Sequence, residues 1–329
     1  MLPISGDVAA RVEAKIRREP VEDYRIDFED GYGYRRDEEE DGHAAGAAGE
    51  VALGMSAGTL PAFLGLRLKS FSGHGRARGK RTLEVFFRTL LEKTGGALPG
   101  NFAVTLPKVT AEEEVAALVR ALEELEAPAR VELMVETPEA LRNLRGMVGA
   151  AGPRIRGAHF GPYDFASSCG VPAAAQDLGH PLCVYARNQM LVELAGTGVW
   201  VSDGPTRILP AGSREDVERA WKKQWEDIQR ALACGFHQGW DLHPAQLPSR
   251  YAAVFDFFAA HFEEAAARMK NFLAQSAQAT RVGAEFDDAA TVRGLHGYFL
   301  RALGSGAMTE EELKARCGLS RAELEELRY

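Results

Sequence analysis

Residues 130–137 read RVELMVET, a short segment in which an apolar run ends on the acid Glu136. Apolar runs of this length are typical of strands that are buried in a sheet. Six other segments are also short and rich in apolar residues, with polar residues towards their ends: 24–30 (YRIDFED), 63–71 (FLGLRLKSF), 101–109 (NFAVTLPKV), 154–164 (RIRGAHFGPYD), 198–204 (GVWVSDG) and 239–244 (GWDLHP). The sequence therefore predicts seven strands.

Helical segments separate these strands. Residues 110–125 (TAEEEVAALVRALEEL) repeat apolar residues at intervals of three and four, and Thr110 and Glu113 have the spacing of a capping box. Residues 214–235 show the same period and end on Gly235, a common helix stop. Strands that alternate with helices predict parallel pairing with right-handed crossovers. Seven or eight such units favour a closed (β/α)₈ TIM barrel over an open sheet.

The first strand of this barrel is predicted to be short or missing. Only residues 1–5 precede the helix that the sequence predicts from Gly6. Beyond Pro244 the pattern is entirely helical. We therefore predict a barrel over residues 1–250 and a C-terminal helical extension over residues 251–329, which supplies a lid or oligomer contacts.

Two charged stretches are predicted to be loops. Residues 35–42 (RRDEEEDG) are interpreted as a solvated loop, because a calcium loop would need a glutamate where Ala48 stands. Residues 73–82 (GHGRARGKRT) lack the spacing of a phosphate-binding loop. They are interpreted as a basic loop, either simply solvated or guiding an acidic substrate towards the barrel.

Composition excludes several classes of function. The chain has 329 residues and a net charge of −8, which argues against binding nucleic acid. We find no apolar run of 18 residues or more and no signal-peptide pattern, so we expect no membrane partner. The four cysteines form no C-x-x-C pair. Reduced thiols in a cytoplasmic protein are therefore the simplest interpretation.

The ends of the predicted strands carry polar residues, and in a barrel such ends form the active site. In chain order they are Asp27, Glu29 and Asp30; Arg67 and Lys69; Lys108; Glu136; His159, Tyr163 and Asp164; Ser202 and Asp203; and Asp241 and His243. Acids predominate, which suits Mg²⁺, whereas Arg67 and Lys108 suit an anionic substrate. The two histidines are interpreted as structural. For any single residue, a wet loop explains the polarity equally well.

Six motifs in this order resemble the citrate lyase β-subunit-like branch of the HpcH/HpaI aldolase family, which belongs to the phosphoenolpyruvate/pyruvate-binding TIM barrels. They are DFEDGYG, LRLKSF, LPKV, VELMVETPEAL, GPYDFASSCGV and GWDLHPAQLPSRY. The resemblance covers residues 20–255 and is greatest to a little-characterised citrate-lyase-like subgroup. Relatives begin with a strand of the LFVPA type, which this chain lacks.

The resemblance implies a set of site residues. Glu136 and Asp164 would be the two carboxylate ligands of Mg²⁺. Arg67 would hold the carboxylate and enolate oxygens of a pyruvate-like unit, with Glu29 and Asp30 acting beside the metal. Regular strand geometry favours Glu29 as the one that faces the barrel mouth. The substrate carboxylate would also meet the segment formed by Gly161, Pro162 and Tyr163.

The function that follows is a Mg²⁺-dependent carbon–carbon lyase acting on a pyruvate- or oxaloacetate-derived acid through an enolate. The general base stays open between water on the cation, Glu29 or Asp30, and Asp287 or Asp288 in the tail. Two alternatives remain: a ketoacid-binding barrel with other chemistry, such as phosphoryl transfer or hydrolysis, and a non-catalytic binding protein. Relatives imply a homo-oligomer (dimer, trimer or hexamer), whereas no element for coenzyme A is evident.

Overall fold

The computed structural model describes residues 2–274, 280–282, 285–287 and 289–327. Seven parallel strands form one curled sheet and pair in chain order. They are β1 (Asp23–Asp27), β2 (Phe63–Arg67), β3 (Phe102–Leu106), β4 (Arg130–Val135), β5 (Ile155–Phe160), β6 (Trp200–Asp203) and β7 (Gln238–Gly239). This singly wound parallel order is that of a TIM barrel, so the predicted fold class is confirmed. Residues 2–5 form no strand, and the described part of the sheet has seven strands.

Thirteen helices are present in the described part of the chain. Seven lie between β1 and β6 in the chain: α2 (Asp37–Ala57), α3 (Gly75–Thr94), α4 (Glu112–Glu124), α5 (Pro138–Arg142), α6 (Leu144–Ala151), α7 (Pro162–Ser168) and α8 (Pro181–Leu194). The others are α1 (Gly6–Arg18), α9 (Arg214–Cys234), α10 (Leu247–Ala274), α11 (Ala289–Ser305), α12 (Glu310–Cys317) and α13 (Arg321–Glu326). Short 3₁₀ turns cover Gly152–Arg154, Ala173–Ala175 and Pro244–Gln246, and β8 (Thr280–Val282) pairs antiparallel with β9 (Glu285–Asp287).

The chain forms two compact units. The sheet unit contains Val21–Pro205 and Gln238–Trp240, and the helical unit contains Met1–Pro20, Thr206–His237 and Asp241–Tyr329. The predicted division at residue 250 stays a prediction. Within the helical unit, α10 packs on α1, α9 and α11. No helix of the described residues is long and apolar enough to cross a membrane.

Several local signals in the sequence specify helix ends. Gly235 ends α9 with φ +99°, and Ser213 begins that helix in a capping box with Asp216. Reciprocal capping boxes also begin α12 and α13. The capping box predicted at Thr110 is wrong. Ala111 is the N-cap of α4, because the Thr110 hydroxyl and backbone N–H both donate to Glu114.

The two charged loops predicted from the sequence are instead largely helical. The acidic stretch begins α2, where Asp37 and three glutamates occupy the first turn and interact favourably with the helix dipole. The basic stretch begins α3 at Gly75. The prediction failed because the charges of the two helices neutralise each other: Arg78 and Arg81 both pair with Asp41.

The two faces of the sheet differ in chemistry. One face is apolar and buried, for example Leu66, Val104 and Leu133. The other face is charged, and its side chains join strands that are not neighbours. Arg25 on β1 donates to Glu132 on β4 at 2.5 Å, and the curl of the sheet makes this contact possible. Gly65 lies between them on β2, where a Cβ would come within 2.3 Å of the Arg25 guanidinium.

Candidate active site

The carboxyl ends of β1 and β2 place Asp27 beside Arg67. The two residues are paired in the sheet register, and Arg67 donates from Nε and Nη2 to the two carboxylate oxygens of Asp27 at 2.7 and 2.6 Å. Such a two-bond pair fixes the guanidinium in one plane. The remaining Nη1 lies 3.5 Å from Glu29 and 3.8 Å from the Met134 sulfur. Arg67 is therefore oriented along one edge, and its Nη1 faces the strand ends.

Asp27 also organises the acidic loop that follows it, residues 28–33. Its carboxylate accepts hydrogen bonds from the backbone N–H groups of Glu29 and Gly31 at 2.9 and 3.0 Å. A Cβ at Gly31 would approach this carboxylate to 2.5 Å, and Gly33 turns the chain with φ +75°. The two glycines therefore allow the sharp turn that the DFEDGYG motif predicts.

Glu29 and Asp30 share one cation. Lys108 donates to Glu29 at 2.5 Å and to Asp30 at 2.8 Å. Glu29 is buried whereas Asp30 is exposed, although β1 ends before either residue. Burial raises the pKa of Glu29 even though Lys108 opposes the shift. Burial acts in the same direction on Asp30, but hydrogen bonds from Lys108 and Glu29 outweigh it and lower its pKa.

Lys108 has an unusual backbone conformation. Its φ of +49° lies in the left-handed region, which costs a non-glycine residue about 1 kcal/mol or more. In this conformation its backbone N–H donates to Oε2 of Glu136 at 2.7 Å, while its side chain reaches Glu29 and Asp30. Lys108 therefore connects the acidic loop to the end of β4.

Glu136 is the most deeply buried carboxylate of this group. Only 3% of its surface is exposed, and Gly161 makes room for it, since a Cβ there would come within 2.3 Å of its side chain. Burial raises the pKa of Glu136 to about 7, and the charges of Asp164 and Glu29 add to the effect. An ionised Glu136 is therefore costly in this position unless a cation accompanies it.

Asp164 lies in the first turn of α7 and is half-buried. In the part of the chain that the structure describes, no hydrogen bond or ion pair occupies its carboxylate. Glu136 therefore has a second carboxylate, Asp164, near it, whose charge adds to the effect of burial in raising the pKa of Glu136. No group of three or more metal-binding side chains exists among the described residues, so any cation here would take two protein carboxylates and complete its shell with other oxygens.

The segment predicted to bind the substrate carboxylate is mostly occupied by other contacts. The backbone N–H of Gly161 donates to Val135 at 3.0 Å, and Pro162 has none. The Tyr163 hydroxyl donates to the carbonyl of Pro205 at 2.8 Å. The predicted role of this segment stays a prediction. Of the open candidates for the general base, Asp288 and the side chain of Asp287 lie outside the described residues.

Lys69 anchors the acidic loop from the outside. Its ammonium donates to the carbonyl of Phe28 at 2.9 Å and to Glu40 of α2 at 2.6 Å. The ammonium nitrogen also lies 5.1 Å from the centre of the Tyr32 ring. Glu40 is fully buried and also accepts from Thr82 of α3. A buried ion pair of this kind fixes the position of the backbone just before Glu29.

A second charged cluster surrounds Glu132, which lies inside β4 and not at its end. Glu132 accepts from Arg25, Thr105, Arg156 and His159. A β-bulge in the pairing of β4 and β5 aims Arg156 at it. The polar strand ends do not predict this cluster, because Arg25, Glu132 and Arg156 lie inside β1, β4 and β5. The signal was present as charged residues inside strand segments, in YRID, RVEL and RIRG.

The comparison with family models identifies the chain. The model described as a domain of unknown function, DUF6986, matches residues 3–329. The chain belongs to the DUF6986 family. No curated protein matches its sequence.

Several solved structures are similar in fold to this DUF6986 chain. A citrate lyase from Burkholderia xenovorans LB400 is 23% identical, with a TM-score of 0.71 and 97% of each chain covered. CitE from Mycobacterium tuberculosis, in complex with magnesium, acetoacetate and coenzyme A, is 20% identical, with a TM-score of 0.58. The match covers 89% of this chain and 95% of CitE. RipC from Yersinia pestis is 22% identical, with a TM-score of 0.51, and the match covers 72% of this chain and 90% of RipC. These likenesses show the fold that the motifs predicted.

Proposed function

We propose that this protein is a Mg²⁺-dependent carbon–carbon lyase that acts on a pyruvate- or oxaloacetate-derived carboxylic acid through an enolate. The observation that carries the proposal is the pair of carboxylates, Glu136 and Asp164, at strand ends that also hold Arg67. The magnesium in the structure of the M. tuberculosis neighbour supports it.

The donor set fits Mg²⁺. This ion is usually held by one or two carboxylates together with water and substrate oxygens, which is what Glu136 and Asp164 offer. Burial, together with the charges of Asp164 and Glu29, raises the pKa of Glu136, and a cation beside it would favour its ionised form. Bound Mg²⁺ would stabilise the negative charge that develops on the enolate oxygen when the carbon–carbon bond breaks.

Arg67 is proposed to hold the substrate carboxylate through Nη1. Its other edge is already bonded to Asp27, so the substrate meets a donor whose direction is fixed before binding. Of the two loop acids, Glu29 is the better candidate for the general base. Burial raises the pKa of Glu29, which makes it the stronger base of the two, whereas the pKa of Asp30 is lowered.

An exchange experiment tests this function without knowledge of the second product. Pyruvate is incubated with the full chain and Mg²⁺ in deuterium oxide, and loss of the methyl signal is followed by proton NMR. We expect exchange that needs Mg²⁺ and that Asp164→Asn abolishes, whereas Asp177→Asn, on the segment after α7, leaves it unchanged. Cleavage products are then sought over a panel of 3-hydroxy acids.

Two results would contradict the proposal. Exchange that persists in both Glu136→Ala and Asp164→Asn would show that the enolate does not depend on this carboxylate pair. A wild-type protein that binds Mg²⁺ and pyruvate without exchange or cleavage would favour different chemistry on the same site.

Gly161→Ala is expected to weaken Mg²⁺ binding about tenfold or more, because the added Cβ overlaps the Glu136 side chain and displaces its carboxylate. Gly149→Ala in α6 is the matched control, since nothing lies within 4 Å of its Cβ position. Isothermal titration with Mg²⁺ measures both variants. Equal affinity in the two would mean that Glu136 does not bind the metal from the position seen here.

A further inference from the structure

We propose that His159 and Trp240 are positioning residues that hold the Arg67 guanidinium in place for the substrate carboxylate. The inference rests on the proposed function for its catalytic meaning. Its structural part, a chain of contacts from Glu132 to Arg67, stands independently. The two residues belong to β5 and to the segment after β7, and both lie in the sheet unit.

The Arg67 guanidinium lies over the ring of Trp240. The guanidinium carbon is 5.5 Å from the centre of the indole ring, a distance at which a cation and an aromatic face attract each other. Asp27 already fixes Arg67 along one edge. The two bonds to Asp27 set the plane of the guanidinium, and its attraction to the indole ring holds the charged group against that ring. Together they leave Nη1 as the donor that faces the strand ends.

His159 fixes the orientation of Trp240. The indole Nε1–H donates to Nδ1 of His159 at 3.1 Å, and the two rings meet nearly edge to face. An indole N–H is only a donor, so Nδ1 must be an acceptor and the ring hydrogen of the neutral imidazole lies on Nε2. Nε2 is 3.0 Å from Glu132, which accepts this hydrogen. The two partners therefore select one tautomer of His159.

Glu132 is a firm end point for this chain of contacts. Burial by itself would raise its pKa, but His159, Arg25 and Arg156 outweigh burial and hold the pKa of Glu132 well below its usual range. Its carboxylate therefore stays ionised, with its position fixed by two guanidinium groups. The contacts therefore run from Glu132 to His159, then to Trp240, and finally to the Arg67 guanidinium.

The chain of contacts is tested first without activity. In ¹H–¹⁵N spectra of the full chain, the indole signal of Trp240 is the one lost in Trp240→Phe. We expect His159→Gln to shift this signal, because the acceptor geometry changes. We also expect Trp240→Leu to shift the Arg67 Nε–H signal, because the ring beside it is removed. Trp225→Phe, in α9, is the control and should move neither, because that indole packs within the helical unit. Unchanged signals in the two test variants would overturn the proposed link.

The functional part is tested by ligand binding. Oxalate with Mg²⁺ serves as the enolate mimic. We expect Trp240→Phe and His159→Gln each to weaken the binding of oxalate about tenfold. Mg²⁺ alone should bind all variants within about twofold of wild type. If oxalate binds these variants as it binds wild type, the positioning role is wrong. If wild type itself binds no oxalate, the proposed function fails, and the spectra still decide whether the contacts hold Arg67.

Discussion

Glu136→Gln is expected to abolish Mg²⁺-dependent turnover, with a loss of at least about 10³-fold. The amide retains an oxygen for the Lys108 backbone N–H, so the local hydrogen bond survives while the negative charge is lost. Isothermal titration should show no Mg²⁺ binding at concentrations that saturate wild type. Turnover close to that of wild type would exclude Glu136 as a metal ligand.

The same substitution is expected to stabilise the metal-free protein at high pH. The pKa of Glu136 is about 7 in the folded chain, above its ordinary value of 4.5. A carboxyl with a raised folded pKa favours folding below its unfolded pKa, and this contribution is lost as pH rises through the folded value. Near pH 8 the free energy of unfolding of the variant should therefore be about 2–3 kcal/mol higher than that of wild type. Near pH 4 this difference should vanish.

Thermal or urea unfolding in the presence of a chelator measures this difference. Glu139→Gln, three residues further on in α5, is the control, because that side chain is exposed. Metal binding should show the opposite pH dependence: below about pH 7, Mg²⁺ competes with a proton on Glu136 and its affinity falls. A variant less stable than wild type near pH 8 would mean that the carboxylate, not its burial, stabilises the fold.

Arg67→Lys is expected to lower kcat/KM about 10²–10³-fold, mainly through weaker binding of the substrate carboxylate. Lysine keeps the charge, but it cannot bond both oxygens of Asp27 and still present a fixed donor to substrate. Asp27 would continue to hold the loop through Glu29 and Gly31, so the fold should survive.

Steady-state kinetics and Mg²⁺ titration separate the causes. Mg²⁺ affinity without substrate should change by less than about twofold, since Arg67 is not a proposed ligand. Arg142→Lys is the matched control, because that arginine is exposed and pairs with Glu139 on its own helix. Full activity in Arg67→Lys would show that a point charge is sufficient and that the guanidinium plane is not used.

Much of the fold could be predicted because its signals are local. The apolar strand segments, the alternation with helices and the stop at Gly235 each depend on residues close together in the chain. The two charged stretches were misread as loops for the opposite reason. Whether Asp41 is solvated or paired depends on Arg78 and Arg81, about forty residues further on.

The strand ends can be located in the sequence, which predicts Glu29, Arg67, Lys108, Glu136 and Asp164 at one end of a parallel sheet. How these residues pair with one another follows from the tertiary structure. The register sets Asp27 against Arg67, the left-handed backbone of Lys108 joins Glu29 to Glu136, and the curl brings Arg25 to Glu132. An alternating pattern tells which face a side chain occupies. It does not tell which of several opposite charges lies within hydrogen-bonding distance, because that depends on register and curvature.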